Sequence, residues 1–128
     1  MPVRSLSSSV LVWPTRGDVD RAVRAWAART VEVHPEIQRL GYFGSYARGD
    51  WGVGSDLDLI AVVSDTSAPW HERSRSWDLR GLPVAADLLI YSREEWDRLQ
   101  REDGRFARTV AAETVWVFQG RAGQFSPD

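Results

Sequence analysis

The feature that most constrains this chain is a run of five apolar residues, 59–63 (LIAVV), that follows closely on two aspartates. Side chains alternate between the two faces of a strand, and here both faces are apolar once the acids are passed. Residues 56–63 therefore predict a central strand that is covered on both sides. Asp56 and Asp58 are two residues apart, so they share a face, where two like charges repel each other. Either an arginine or a divalent cation must offset that repulsion.

Strands and helices alternate around this central strand. Further strands are predicted at 37–43, 83–91 and 114–118. One helix is expected to begin with Asp18 as its cap, and its apolar stripe consists of Val19, Ala22, Val23 and Trp26. A second begins at the capping-box sequence 92–95 and stops at Gly104, a third covers 106–113, and 64–82 forms a short helix over the sheet. The pattern predicts an α/β (α+β) sheet packed by helices.

Length and charge limit the possible classes of protein. The 128 residues predict one domain, 1–128, with a frayed tail from Gly120 (120–128). A formal net charge of −2 gives no general attraction to nucleic acid, so no direct nucleic-acid binding is expected. No run of about 18 apolar residues is present, and the apolar stretch 10–13 is too short for a secretory signal, so we expect no membrane association and a cytoplasmic location.

Cysteine, lysine and asparagine are missing, and the first two absences exclude some chemistry. Without cysteine the chain has neither disulfides nor thiolate metal sites. All 16 basic residues are arginines, so the chain cannot supply a Walker A lysine, a kinase strand lysine or a Schiff base.

The glycine-rich segment 44–55 (GSYARGDWGVGS) precedes the two acids. Gly44 and Ser45 close a strand and can open a helical turn, whose free N–H groups and hydroxyl suit a phosphate. Arg48 can hold phosphate oxygens with its planar guanidinium, and Ser55 can cap or orient the return of the chain. A simple glycine-rich hairpin explains the glycines but not the Gly-Ser step. Trp51 either stacks on a base or partner or folds onto the core.

A third acid, Asp87, lies within the apolar stretch 83–91 (PVAADLLIY). If that strand pairs with 56–63, Asp87 completes a set of three carboxylates around one or two metal ions. Carboxylate oxygens suit a hard ion such as Mg²⁺. The alternatives are a solvated turn pair for Asp56 and Asp58, and for Asp87 an acid at a strand edge that reaches solvent or an arginine.

The two parts of this pattern together resemble a known signature. Gly44-Ser45, ten further residues and then Asp56-Leu57-Asp58 are similar to the motif of the DNA polymerase β-type nucleotidyltransferases. The fuller string, with Tyr46-Ala47-Arg48-Gly49 and Ser55, most resembles the minimal, MNT-type members of that superfamily. The similarity is sharp over 40–63 and fair over 84–91, and the segment 64–82 departs from it.

The resemblance implies a fold, a reaction and a set of roles. The fold is a mixed sheet with flanking helices, and the reaction moves a nucleoside monophosphate from an NTP to a hydroxyl. Asp56 and Asp58 would bind Mg²⁺, with Asp87 as third ligand or proton acceptor. Gly44 and Ser45 would hold the β- and γ-phosphates, and two metals would neutralise the attacking and leaving oxygens.

Three functions remain open at this stage. Minimal members similar to this chain often act as antitoxins that add AMP from ATP to a tyrosine of a HEPN-type helical toxin. The second is a small-molecule, aminoglycoside-type nucleotidyltransferase subunit, built as a homo-oligomer or with a partner. The third is a non-catalytic module that masks its partner. Intact Gly44-Ser45 and three aspartates favour retained chemistry, because a pure binder has no need of mutually repelling carboxylates.

Overall fold

The computed structural model describes residues 13–120, which form a four-stranded sheet with helices on both faces. The order of elements along the chain is α1 Arg16–Val33, β1 Ile37–Phe43, α2 Ser45–Arg48, β2 Leu57–Val63, a 3-10 helix Trp70–Ser76, β3 Ala86–Ser92, α3 Arg93–Glu102, α4 Arg105–Glu113 and β4 Val115–Gln119. The apolar stretch 10–12 and the tail 121–128 lie outside the described residues. Within 13–120, no helix is both long and apolar enough to cross a bilayer.

The strands are arranged in the order β3-β2-β1-β4. β1 pairs with both β2 and β4 in antiparallel fashion, whereas β2 and β3 run parallel. The sheet is therefore mixed and flanked by helices, as the sequence predicted. The predicted strand 56–63 is β2, which begins one residue later, at Leu57, and has a neighbour on each side. The predicted strand 83–91 begins three residues later, as β3.

β2 is buried on both faces, because each face belongs to a different hydrophobic cluster. Leu57, Leu59, Ala61 and Val63 pack with Val19, Val23 and Trp26 of α1. Ile60 and Val62 point the other way and pack with Trp96 of α3 and Val110 of α4. Asp58 is on the same side of the strand as Ile60 and Val62 by the two-residue period. The helices α3 and α4 therefore cover the face on which this acid lies.

The helix boundaries follow from their capping residues. α3 begins as predicted, with Ser92 as the cap and Glu95 completing a reciprocal capping box. The prediction that Asp18 caps α1 was wrong. Thr15 is the cap, and Asp18 is the third helical residue, whose carboxylate accepts from the Thr15 N–H. α3 ends at Asp103, in the left-handed conformation at φ 50°, and Gly104 caps the start of α4 rather than stopping α3.

The segment 64–82 is fixed to the sheet by a half-buried arginine of its 3-10 helix. Arg73 forms a bidentate ion pair with Glu95, with N–O distances of 2.7 and 2.9 Å. Its guanidinium also donates to the carbonyl oxygens of Ala68 and Ile90. The Arg73 side chain is only 10% exposed. One residue thereby joins the 3-10 helix to β3 and α3, and the pairing holds the pKa of Glu95 at about 2.

Replacing Arg73 by alanine should lower the free energy of unfolding by about 3 kcal/mol, because Glu95 loses its partner in a partly buried position. The same replacement at Arg75, an exposed arginine of the same 3-10 helix, should change it by less than about 0.5 kcal/mol. Urea unfolding of both variants measures the difference.

The ordinary pKa of Glu95 is 4.5 and its folded pKa about 2, so the stabilising pair is complete above pH 4.5 and is lost as the pH falls toward 2. The Arg73 penalty should shrink over that window; a penalty independent of pH there would contradict the ion-pair explanation.

Candidate active site

The two halves of the glycine–aspartate motif meet at Gly44 and Asp58. Gly44 follows β1 directly, with φ 80° and ψ −153°, a conformation that is essentially restricted to glycine. Any Cβ at this position would collide with the Asp58 carboxylate. The neighbouring residue Phe43 pairs with Asp58 across the β1–β2 ladder. Gly44, which begins the segment predicted to bind phosphate, is therefore in direct contact with Asp58, a predicted metal ligand.

Asp87 lies beside Asp58, because the parallel register of β2 and β3 pairs these two residues. Phe43, Asp58 and Asp87 form a row across three strands. Asp56 precedes β2 and is exposed, whereas Asp58 is half-buried and Asp87 exposed. The two strands do pair, which meets the condition set for Asp87, and their register brings Asp87 next to Asp58.

The three acids influence one another electrostatically. Burial raises the pKa of Asp58 above its ordinary value, and the negative charges of Asp87 and then Asp56 raise it further. Arg48 acts in the opposite direction, but the direction of the shift remains upward. Ionised Asp58 is thus only partly compensated by the protein.

Asp56, Asp58 and Asp87 are the acids that could hold a cation at this site. Within residues 13–120, no group of three or more His, Cys, Asp or Glu side chains is arranged to hold a metal ion. Asp56 and Asp87 each act on Asp58 without the three converging as one cluster. The chemistry nevertheless fits a hard divalent ion, since the donors are carboxylate oxygens with excess negative charge on one face.

A cleft of about 640 Å³ opens in front of Gly44 and Asp58. That size is within the usual range for small-molecule sites. All four residues predicted to bind nucleotide line it, together with two of the acids: Gly44, Ser45, Arg48, Ser55, Asp56 and Asp58. Asp87 is not part of this lining.

The opposite wall of the cleft comes from α4, which the sequence reasoning treated only as a covering helix. Arg105, Phe106, Thr109 and Glu113 line the cleft. A signal for this wall was present in the sequence, because Arg105, Thr109 and Glu113 are spaced four apart and so form one polar stripe along a helix. Ala107 and Val110, between them, are the buried residues of α4.

Arg48 spans the mouth of the cleft between two acids. Its Nε donates to Asp50 at 2.9 Å, and its Nη1 donates to Glu113 of α4 at 3.2 Å. These pairs keep the pKa of Arg48 above its ordinary value, the Asp50 hydrogen bond being the largest cause. The side chain is 44% exposed and remains accessible from the cleft.

Tyr46 holds the loop between the two halves of the motif. Its ring is fully buried and stacks on Trp51, with centroids 5.5 Å apart. Its hydroxyl accepts a hydrogen bond from Trp13 and donates to the carbonyl oxygen of Ser55. The Ser55 hydroxyl in turn accepts from the Gly52 N–H at 2.8 Å. Of the two readings of Trp51, the structure favours the one in which the ring folds onto the core.

Replacing Gly44 by alanine should both destabilise the chain and move Asp58. The positive φ costs about 1–2 kcal/mol for any residue with a Cβ, and here the new methyl group also displaces the carboxylate. Gly54 is the matched control, since its φ is +88° but its Cβ would meet nothing within 4 Å. Thermal unfolding of both alanine variants compares them. A Gly44 penalty no larger than the Gly54 penalty would contradict the proposed collision.

Replacing Asp58 by asparagine should stabilise the unliganded chain at neutral pH, because it removes a charge that burial and two neighbouring acids disfavour. We expect a gain of about 3 °C in melting temperature. Because folding raises the pKa of Asp58, its charge destabilises the folded chain fully above the folded pKa and not at all below the pKa of the unfolded chain. The stability gained by Asp58→Asn should therefore fade as the pH falls. Asp65→Asn, at the other end of β2, is the control. A loss of stability at pH 7 would show that the Asp58 charge is well compensated.

Comparison with known proteins identifies the family of the domain. The nucleotidyltransferase domain family model matches residues 27–116, from within α1 to β4. The chain therefore belongs to the nucleotidyltransferase domain family. No curated protein sequence gives a significant match.

Two solved structures, with TM-scores of 0.59 and 0.50, share this fold. A protein of Sulfolobus solfataricus assigned as a nucleotidyltransferase superposes with a TM-score of 0.59 at 18% identity, covering 81% of this chain and 83% of the other. A toxin–antitoxin structure with AMP-PNP gives a TM-score of 0.50 at 16% identity, covering 77% and 74%. The toxin–antitoxin structure MntA-HepT gives 0.49 at 14% identity, covering 78% and 73%.

Proposed function

We propose that this protein is a Mg²⁺-dependent nucleotidyltransferase that moves AMP from ATP to a hydroxyl group. One observation carries the proposal: Gly44 and Asp58, from the two halves of the motif, are in contact at the base of the 640 Å³ cleft. A glycine-rich hairpin without function requires no such contact between a glycine-only backbone conformation and a partly buried carboxylate.

The nucleotide would lie in the cleft with its phosphates at Gly44 and Ser45. Gly44 supplies the close approach of the backbone, and the Ser45 N–H and hydroxyl are donors at the start of α2. Arg48 offers its remaining guanidinium N–H groups to phosphate oxygens. Ser55 holds the loop that forms the rim and faces the same cleft.

The acids would hold the metal and receive the proton. Asp56 and Asp58 hold Mg²⁺, and Asp87 serves as third ligand or as proton acceptor. When bound, the metal neutralises charge on the attacking and leaving oxygens. In the reaction, the acceptor oxygen forms a bond to the α-phosphorus, the bond from that phosphorus to the bridging oxygen breaks, pyrophosphate leaves, and the hydroxyl proton passes to a carboxylate.

The acceptor we favour is a tyrosine of a HEPN-type helical toxin, which would make this chain an antitoxin. One point supports that choice: one of the structural neighbours of this chain is a toxin–antitoxin structure with AMP-PNP. The second candidate is a small-molecule nucleotidyltransferase subunit of the aminoglycoside type. A partner-masking module without catalysis is the third.

Asp58→Asn should abolish transfer while leaving the fold intact, and it should weaken the binding of Mg²⁺-ATP. Removal of a metal-holding carboxylate is expected to lower the rate by at least about a thousandfold. Asp65→Asn, outside the cleft, should be fully active. Calorimetric titration with AMP-PNP, with Mg²⁺ and with EDTA, measures binding separately from turnover. Equal binding in EDTA, or an active Asp58→Asn variant, would reject the metal site.

The acceptor is tested by mass spectrometry. The protein is incubated with ATP, Mg²⁺ and either the product of the adjacent gene or a panel of aminoglycosides. We expect a gain of one or more AMP units on the neighbouring protein and none on the aminoglycosides. AMP on an aminoglycoside would instead establish the small-molecule function, and AMP-PNP binding without transfer to either acceptor would favour the masking module.

A further inference from the structure

The cleft in front of Asp58 has two apolar side chains among its charged and polar ones. They are Phe43 and Phe106, and every other residue of the lining is glycine, serine, threonine, arginine or an acid. The two rings meet edge to face, with centroids 5.8 Å apart and an interplanar angle of 81°. Phe43 also pairs with Asp58 across the β1–β2 ladder. The contact with Phe43 therefore holds the Phe106 ring close to the acids of the cleft.

The contact with Phe43 covers only part of Phe106. Phe106 is 38% exposed, and within residues 13–120 it is one of four large hydrophobic residues that are exposed. The other three are Val33, Val53 and Trp70, and none of them lines the cleft. The part of the Phe106 ring that remains open belongs to the wall of the cleft. A flat aromatic ligand in the cleft would cover it.

Three side chains of different chemistry share one face of α4. Phe106, Thr109 and Glu113 are spaced three and four residues apart, and all three line the cleft. Phe106 is in the first turn and Glu113 is the last residue, roughly 10 Å further along the helix axis. Glu113 accepts a hydrogen bond from Arg48 at 3.2 Å. The arginine proposed to hold phosphate is therefore at one end of this face, and the phenyl ring is at the other.

A nucleoside triphosphate needs two separate subsites, because its ribose separates the charged phosphates from a flat base. The proposed function assigns residues to the phosphates and to the metal only. These residues are glycine, serines, an arginine and aspartates, which offer no flat apolar surface to a base. The cleft volume of 640 Å³ is within the range that encloses a small organic ligand. The α4 end of the cleft at Phe106 is therefore the part still open to the base.

We propose that Phe106 is the platform on which the base of the donor nucleotide stacks, and that this base is a purine. The inference rests on the proposed function and names the binding residue for a part of the nucleotide that this function left unassigned. A phenyl face distinguishes bases by the area that they cover rather than by hydrogen bonds. The two fused rings of a purine cover more of Phe106 than the single ring of a pyrimidine does.

The test measures binding of the base separately from binding of the phosphates. Calorimetric titration in Mg²⁺ uses the α,β-methylene analogues of ATP and CTP, whose bridge resists cleavage, and inorganic tripolyphosphate, which has no base. In the wild type, the ATP analogue should bind at least about threefold more tightly than the CTP analogue. Phe106→Ala should weaken binding of the ATP analogue about tenfold and leave binding of tripolyphosphate unchanged.

Three further variants make the assignment specific. Phe106→Trp keeps an aromatic face and should bind the ATP analogue at least as tightly as the wild type does. Phe106→Leu keeps an apolar side chain without that face and should bind it less tightly. Trp70→Ala removes an aromatic residue that is 47% exposed but outside the cleft, and it should change none of the affinities. Thermal unfolding confirms that each variant is folded.

A second measurement observes the base without phosphates or metal. The wild type, with ring-labelled phenylalanine, is titrated with adenosine in the absence of Mg²⁺ and followed by NMR. We expect shifts of the ring signals of Phe106 and of its neighbour Phe43. Phe118, which is on β4 and does not line the cleft, is the internal reference. The Phe106→Leu variant identifies the Phe106 signal.

The outcomes separate this inference from the proposed function. Unweakened binding of the ATP analogue by Phe106→Ala, an equal loss of tripolyphosphate binding, or equal affinities of the wild type for the two analogues would each overturn the platform. Adenosine that leaves the Phe106 signal unshifted would overturn it too. If the wild type does not bind tripolyphosphate in a Mg²⁺-dependent way, the phosphate and metal sites of the proposed function are rejected, while the adenosine titration still tests the base platform.

Discussion

The candidate site depends on the position of β2 between β1 and β3. Hydrophobic side chains pack against both faces of this strand, so its direction and register are fixed. The same two-residue period that buries Ile60 and Val62 brings Asp58 to their face, just beyond the covered part of the strand. The antiparallel ladder then sets Phe43 beside Asp58, and the parallel ladder sets Asp87 on its other side. A slip of one residue in either ladder would dissolve the row.

Bringing these acids together costs free energy of folding, which the interactions in the rest of the fold must offset. Like charges collect around a half-buried carboxylate, and Arg48, the cation that acts on Asp58, is shared with Asp50 and Glu113. The deficit of positive charge is the physical reason to expect a cation at this place. The rigid, buried sheet beneath keeps the acids from moving apart to relieve their repulsion.

Much of the fold was accessible from the sequence, and the misses have physical causes. The continuous apolar run 59–63 predicted β2, and the capping box predicted the start of α3, because both signals are local. The cap of α1 was assigned to Asp18 instead of Thr15 because both residue types can cap a helix. In the structure the side chain of each accepts a hydrogen bond from the backbone N–H of the other. The pairing of Asp58 with Asp87 was predicted only as a condition, since register depends on which strands become neighbours. The polar stripe of α4 was visible in the sequence, but its position opposite Gly44 and Asp58 arises from packing between distant segments, which no local pattern specifies. The roles of the acids and of Gly44, Ser45, Arg48 and Ser55 remain predictions.

The contact between Gly44 and Asp58 makes these two positions a single steric unit. The backbone at 44 has no room for even one carbon, and the side chain at 58 has no room to lengthen toward it. A glutamate at 58 would press on the same atoms that an alanine at 44 would, from the opposite direction. The limit at both positions is therefore one of size rather than charge: an asparagine fits at 58 as an aspartate does, whereas a longer side chain at either position would force the other strand end to move.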